Sequence, residues 1–196
     1  MSTTSATRAT ILSAGRQALL ESGYAALSTR KVAEIAGVPL SQIHYHFGSR
    51  HNLVLELLEV ENQHLLHRQR EMYETELPVW KRWEQACDYL DDDLASGYVR
   101  LLHEMTAAGW SDGDVANAVR RMLRGWFELL ETTASKASEH LRGLGGFTPA
   151  EAAVLAGAPF LGVEALILLG FEDKELPMRS ALRKVGELLR SLEEDG

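Results

Sequence analysis

Residues 28–53 read STRKVAEIAGVPLSQIHYHFGSRHNL, two short amphipathic segments hinged at Gly37. Ser28 and Thr29 bring hydroxyls that satisfy free N–H groups at a helix start, and Val32, Ala33, Ile35 and Ala36 follow as an apolar stripe at helical spacing. Gly37 ends the first helix, because glycine adopts the left-handed backbone after a helix C-terminus without penalty. Val38 plugs the core beneath the turn, and Pro39 and Ser41 suit the start of the next helix. The spacing predicts a second helix over Leu40–Phe47, with Ile43 and Phe47 inward at i, i+4. This is the shape of a helix-turn-helix.

The second helix leaves Leu40, Ser41, Gln42, His44, Tyr45 and His46 largely free. Gln42 suits adenine N6 and N7, Ser41 suits several base edges, and Leu40 offers apolar contact to a thymine methyl. Arg30, Lys31 and Arg50 are candidates for phosphates, and Ser28 and Thr29 complete the candidate DNA-contacting set. Taken alone, a short polar helix face can also be simply solvated, the lesser of the two readings.

A wider pattern narrows the choice. From Thr10 to Leu53 come Ile-Leu-x-Ala, Glu-Ser-Gly-Tyr, Ser-Thr-Arg-Lys-Val-Ala-Glu-Ile-Ala-Gly-Val and Ile-His-Tyr-His-Phe-Gly-Ser-Arg. Together they resemble the N-terminal domain of the tetracycline-repressor (TetR) family of regulators, over about a quarter of the chain. The resemblance implies an all-α homodimer of about nine helices. It implies a three-helix DNA-binding domain at 1–53 and a ligand-binding and dimerisation domain at 54–196. Four positions depart from the family pattern. Gly15 stands where Ala is usual, and a glycine inside a helix costs about 1 kcal/mol relative to Ala, so it reads as permitting close helix packing. His44 replaces a phosphate-contacting Tyr, Arg50 replaces a Lys while adding a bidentate fork, and His51 stands at a usually acidic position. Protonation of His44, His46 and His51 beside phosphates would raise DNA affinity toward pH 6; the alternative is that they are neutral hydrogen-bonding or packing residues.

Charge is divided along the chain. Residues 1–53 hold five Arg or Lys (8, 16, 30, 31, 50) against two Glu (21, 34), a net of +3, whereas 54–196 hold fifteen against twenty-six, a net of −11. Acidic surface repels phosphate, so this distribution fits local docking by the head. With 45% apolar and 24% charged residues the composition is that of a soluble globular protein. No apolar run is expected to reach the ~18 residues of a membrane span, and Met1–Thr7, lacking an apolar signal region, reads as a mobile arm. A cytoplasmic protein with no membrane partner is expected. Cys87 is the single cysteine, so there is no intrachain disulfide.

Beyond the head the pattern stays helical. A fourth helix is expected from Leu53 to about Tyr73, a fifth over Val79–Ser96, and a sixth from Gly97 to about Ala108. A seventh starts from a Ser111 cap, with Asp114 in its first turn, and fades toward the Gly143–Gly146 loop. Thr148, Pro149 and Glu151 form a capping box opening an eighth helix to about Gly170, kinked or interrupted at Pro159. A ninth follows Pro177, before the acidic tail Glu193–Asp195. The eighth helix is apolar over most of its circumference and must be covered on more than one side. A homodimer interface is therefore expected on helices eight and nine through Leu155, Val163, Leu166, Leu182, Val185 and Leu189.

Helices five to seven carry large and polarisable side chains suited to an effector pocket: Trp83, Cys87, Tyr89, His103, Trp110, Trp126 and Phe127. A Trp at helical spacing also serves as ordinary core. His64 and His67, one turn apart, could chelate, but no third ligand is identifiable, so neither metal nor cofactor is expected. There is no phosphate-cradling glycine loop, nucleophile elbow or zinc-protease helix, and hence no candidate catalytic residue. The reading is a ligand-responsive repressor that binds palindromic operator DNA as a homodimer and is released by a small, largely hydrophobic or aromatic effector. Its competitors are a helical interaction protein without operator binding and a regulator whose effector acts as co-repressor.

Overall fold

The computed structural model describes residues 3–74, 77–138 and 145–194. They form nine helices, with no strand among the described residues: α1 Thr3–Ala26, α2 Thr29–Ala36, α3 Leu40–Phe47, α4 Arg50–Glu74, α5 Val79–Ser96, α6 Tyr98–Gly109, α7 Gly113–Ser138, α8 Pro149–Leu168 and α9 Met178–Glu194. The all-α class is as expected; several boundaries differ, each for a local reason. Residues 3–7 open α1 instead of forming a mobile arm, while Met1 and Ser2 lie outside the described residues. Helix α4 begins three residues before Leu53, because the Ser49 hydroxyl accepts from Asn52 N–H at 3.1 Å and caps the turn. Gly97 ends α5 in the left-handed region (φ 80°) and does not start α6. The cap of α7 is Asp112, not Ser111: its Oδ1 accepts from the N–H groups of Asp114 and Val115, both at 3.1 Å. Gly143 and Leu144 of the Gly143–Gly146 loop, and Asp195 of the tail, lie outside the described residues.

Two compact units emerge. The first joins the chain up to His64 with Arg100–Met122; the second joins Leu65–Val99 with Leu123 onward. In the first, Ile11, Leu19, Val32, Ile43, Leu53, Val54, Leu101, Met105 and Val115 are almost fully buried, so α6 and the first turns of α7 share one core with α1 to α4. Burying one such side chain contributes roughly 1.5–3 kcal/mol. Gly15 lies in this unit, where an added Cβ would meet Leu53 Cδ1 at 3.8 Å, an ordinary separation. Packing therefore does not require glycine there.

Helix α1 is broken at Gly23, whose φ of 75° and ψ of 168° leave the helix. Glu104 of α6 accepts from the Tyr24 N–H at 3.0 Å, and a Cβ on Gly23 would lie 3.0 Å from the same carboxylate. On the other side of that residue, the Arg50 guanidinium donates to the Tyr24 carbonyl and lies over the Tyr24 ring, 4.4 Å from its centroid. The junction leading into α2 is thus held from two helices.

In the second unit α5 and α9 run antiparallel. Trp83 Nε1 donates to Leu182 O at 2.6 Å, Arg183 pairs with Asp88 at 2.7 Å and Arg179 with Asp91 at 2.8 Å. Glu193 near the end of α9 accepts from the N–H groups of Val79 and Trp80, at 2.9 and 3.1 Å, satisfying free donors at the start of α5. Cys87, Leu90, Phe160 and Leu182 form the buried centre, flanked by Trp83, Trp126 and Val163. Gly157 of α8 admits α7 closely, since a Cβ would sit 2.7 Å from Phe127 and 2.9 Å from Leu130. The Thr148–Glu151 capping box is present, and α8 runs from Pro149 to Leu168 with Pro159 inside it, where proline has no N–H for the bond to the carbonyl four residues earlier.

Helix α8 also corrects the expectation about apolar runs. An 18-residue window within its 20 residues reaches a mean hydropathy of 1.7, long and apolar enough to cross a membrane by length and composition alone, yet only 17% of that window is buried. Ala153, Gly157 and Phe160 make its single buried stripe. Val154, Leu155, Leu168 and Leu169 stand exposed, as do Leu188 and Leu192 on α9.

Candidate nucleic-acid interface and effector region

The local chemistry of α2 and α3 fixes how the reading helix is presented. Ser28 caps α2, its hydroxyl accepting from Lys31 N–H at 3.2 Å. Gly37 takes φ 63°, ψ 31°, and Val38 N–H closes back onto Ala33 O at 3.1 Å, the six-residue closure of a Schellman turn. In α3, Ile43 and Phe47 are buried, and the guanidinium of Arg8, paired with Glu56, lies over the Phe47 ring. Ser41, His44 and Tyr45 are exposed, Tyr45 by 74%; Leu40, Gln42 and His46 are half-buried on the flanks. This is the amphipathic division anticipated from spacing.

Of the anticipated phosphate contacts, Arg50 has a partner in the head, as do two arginines outside that set. Arg16 pairs with Glu61 at 3.0 Å, Arg8 with Glu56 at 2.5 Å, and Arg50 is committed to Tyr24. Arg30 and Lys31, with Thr29 beside them, are left without an ion pair among the described residues. His44 Nδ1–H donates to Gly48 O at 3.2 Å and His46 packs edge-on against Tyr45, so both have local partners. His51 faces carboxylates instead of open solvent: its Nδ1 lies 3.4 Å from Asp112 and its Nε2 3.3 Å from Asp114.

The residues singled out for an effector pocket divide between the two units. Trp83, Cys87, Trp126 and Phe127 come together in the second unit, where Trp83 meets Phe160 edge-on at 5.3 Å and Trp126 lies 5.1 Å from Phe127. Tyr89 lies beneath the Arg68 guanidinium at 4.8 Å, and Arg68 pairs with the buried Asp93. Burial holds the Asp93 carboxyl above its ordinary range against the pull of Arg68. Burial likewise pushes the Cys87 thiol up to about 11, with Arg183 opposing, which suits core and not a nucleophile. His103 and Trp110 belong to the first unit, where Trp110 is 83% exposed.

Cavity volume sharpens this. The space bounded by Cys87, Leu90, Asp91, Arg179, Leu182 and Arg183 is about 10 Å³. That is room for about one water, far below the roughly 300–1,000 Å³ of a small-molecule site. A larger concavity of about 380 Å³ lies in the first unit against Ala9, Thr10, Gln17 and Ile35, none of them an anticipated ligand residue. Trp126 Nε1 is buried with no hydrogen-bond partner among the described residues, a polar group that sequence reading did not single out for that reason.

Of the anticipated interface residues, Leu155 is exposed, and Val163, Leu166, Val185 and Leu189 are half-buried. Leu182 is corrected: it faces inward, packed with Cys87, Leu90 and Phe160, because α9 spends that side on α5 and α8. The exposed leucines of α9 are Leu188 and Leu192, which the periodicity alone did not separate from it.

Residues 11–57 match the sequence profile described as "Bacterial regulatory proteins, tetR family". No curated relative matches the sequence. Among solved structures, a TetR-family transcriptional regulator from Agrobacterium tumefaciens superposes with a TM-score of 0.78 at 17% identity, covering 96% of this chain and 98% of its own. A Saccharomonospora viridis protein described as a transcriptional regulator, in complex with choline, gives 0.81 at 19%, covering 93% and 96%. The transcriptional regulator FadR from Bacillus subtilis, in complex with stearoyl-CoA, gives 0.71 at 16%, covering 92% and 96%. These likenesses establish the fold along nearly the whole chain.

Proposed function

We propose, on the tetR-family N-terminal domain carried by residues 11–57, that this chain is a ligand-responsive transcriptional repressor acting as a homodimer on a palindromic operator. The observation that carries the DNA-reading half is α3, anchored by buried Ile43 and Phe47 and presenting Ser41, His44 and Tyr45 outward. Leu40, Gln42 and His46 flank that face, with Thr29, Arg30 and Lys31 supplying backbone contacts. Reading is assigned to 1–53, and effector binding and dimerisation to 54–196.

The exposed leucines of α8 and α9 support the homodimer. A twofold pairing covers the same surface on both copies, and it sets the two α3 helices about 34–36 Å apart, or a multiple of that, for successive major grooves. The effector proposed is a small, largely hydrophobic or aromatic molecule. The effector would act by favouring a conformer that no longer matches the operator, which is how ligand shifts the population away from DNA binding; the roughly 10 Å³ beside Cys87 would have to widen if the molecule enters there. Trp126 Nε1 is the polar anchor such a molecule would meet. A protein of this kind works beside the chromosome, in the cytoplasm.

The test is fluorescence anisotropy against the DNA flanking its own coding region, repeated across salt. Two copies each presenting Arg30 and Lys31 should give a log–log salt slope of about −4. Failure to bind any fragment at low ionic strength, or a monomer at micromolar concentration, overturns the proposal.

A further inference from the structure

We propose that His51, Asp112 and Asp114 form a site for a divalent transition-metal cation of the zinc type. The three come from two elements, His51 from the first turn of α4 and the carboxylates from the turn opening α7. One ligand atom from each lies within 4.8 Å of the others. The imidazole lies between the two carboxylates, Nδ1 3.4 Å from Asp112 Oδ2 and Nε2 3.3 Å from Asp114 Oδ2, so an ion with bonds of about 2.0–2.2 Å would take one ring nitrogen and draw the carboxylates in around it.

Asp112 is held in place for this role. Its Oδ1 is spent on the α7 cap, accepting from the Asp114 and Val115 N–H groups, while Oδ2 is the atom turned to His51. The carboxylate therefore does not have to give up its structural bonds to ligate. Asp114 is exposed, its Oδ2 toward the imidazole, which leaves a side open for water to complete the coordination. The donor set selects the metal class. An imidazole with two carboxylates suits zinc-like ions, whereas calcium and magnesium favour oxygen alone. One ring nitrogen ligates, and the other keeps its N–H for a carboxylate or water, which orients the ring. Two carboxylates two residues apart, which repel each other, are neutralised by the dication. The bound ion would staple the start of α4, directly after the reading helix, to the turn between α6 and α7.

The site stands without the proposed function; only its effect on DNA binding rests on that reading. The experiment is titration of the metal-free chain with zinc alone at pH 7.5, followed by isothermal calorimetry and by metal analysis after dialysis. One zinc per chain is expected, with a higher melting temperature. Uptake should be lost in His51→Ala, His51→Gln and Asp114→Asn. It should be weakened in Asp112→Asn, where asparagine keeps the helix cap, and unchanged in a His64→Ala, His67→Ala double variant. Helical circular dichroism shows that each variant is folded. No zinc uptake by the wild type, equal uptake by the His51 and Asp114 variants, or uptake that disappears with His64 and His67 would overturn the site. These readouts need no DNA, so failure of operator binding and failure of metal binding are separately visible.

Discussion

Helix α3 and helix α8 solve opposite problems. The eight residues of α3 turn two apolar side chains inward and polar ones outward, and the helix is complete within its own unit. The twenty residues of α8 are apolar nearly all round, yet the chain buries only the Ala153, Gly157 and Phe160 stripe. On the proposed reading α3 keeps a polar face for DNA and α8 an apolar face for a second copy of the chain. The difference separates two kinds of exposed surface, one soluble by itself and one that needs a cover.

The contrast can be broken most severely at α9, where inward and outward leucines alternate. Leu182→Ala should cost about 2–5 kcal/mol of unfolding free energy, as expected for a truncated core leucine. Leu188→Glu should leave the folded chain intact and shift sedimentation toward monomer. Equal effects of the two substitutions on chemical denaturation would erase the distinction between core and interface.

Glycines sharpen it next. Gly157→Ala forces a Cβ to within 2.7 Å of Phe127 and should destabilise by roughly 1–3 kcal/mol. Gly15→Ala, with Leu53 at an ordinary distance, should stabilise by about 1 kcal/mol through helix propensity. Thermal melting of both variants checks the opposite signs.

In the head, Arg30→Ala or Lys31→Ala should weaken binding uniformly across sequences and flatten the salt slope by about 1 for every phosphate that a copy no longer grips. A change in sequence preference instead would assign those residues to base reading.

The smallest effect is that of Cys87. Its folded value of about 11 lies above the ordinary 9.0, so the neutral thiol is the form that folding favours. Its contribution is fully present below the ordinary value and is lost as pH rises through about 11. Thiolate absorbance should titrate at about 11 in the folded chain. A midpoint near the ordinary value would place Cys87 at the surface.

What could be read from sequence was local. The α2–Gly37–α3 turn and the Thr148–Glu151 box declare themselves within a few residues, because caps and left-handed glycines act at short range. Where two caps compete side by side, as Ser111 and Asp112 do, composition alone does not choose. The features absent from the sequence reading are long-range: Glu104 reaches Tyr24 across 80 positions, and His51 reaches Asp114 across 63. Leu182 and Leu188 carry the same helical signal, and only the presence of α5 and α8 on one side of α9 tells core from surface. The aromatic residues of α5 to α7 were legible as large and apolar. Which of them share a core depends on how the chain divides into units, and periodicity does not encode that division.

The doubly held Tyr24 has a mechanical consequence. With its N–H gripped by α6 and its carbonyl by α4, this residue works as a rivet: the short link into α2 carries no slack that could absorb a displacement of either helix. A shift of α6 must therefore either drag the reading helices with it or shear the rivet, and the amide proton of Tyr24 would report, by the rate at which it exchanges with deuterium, which of the two has happened.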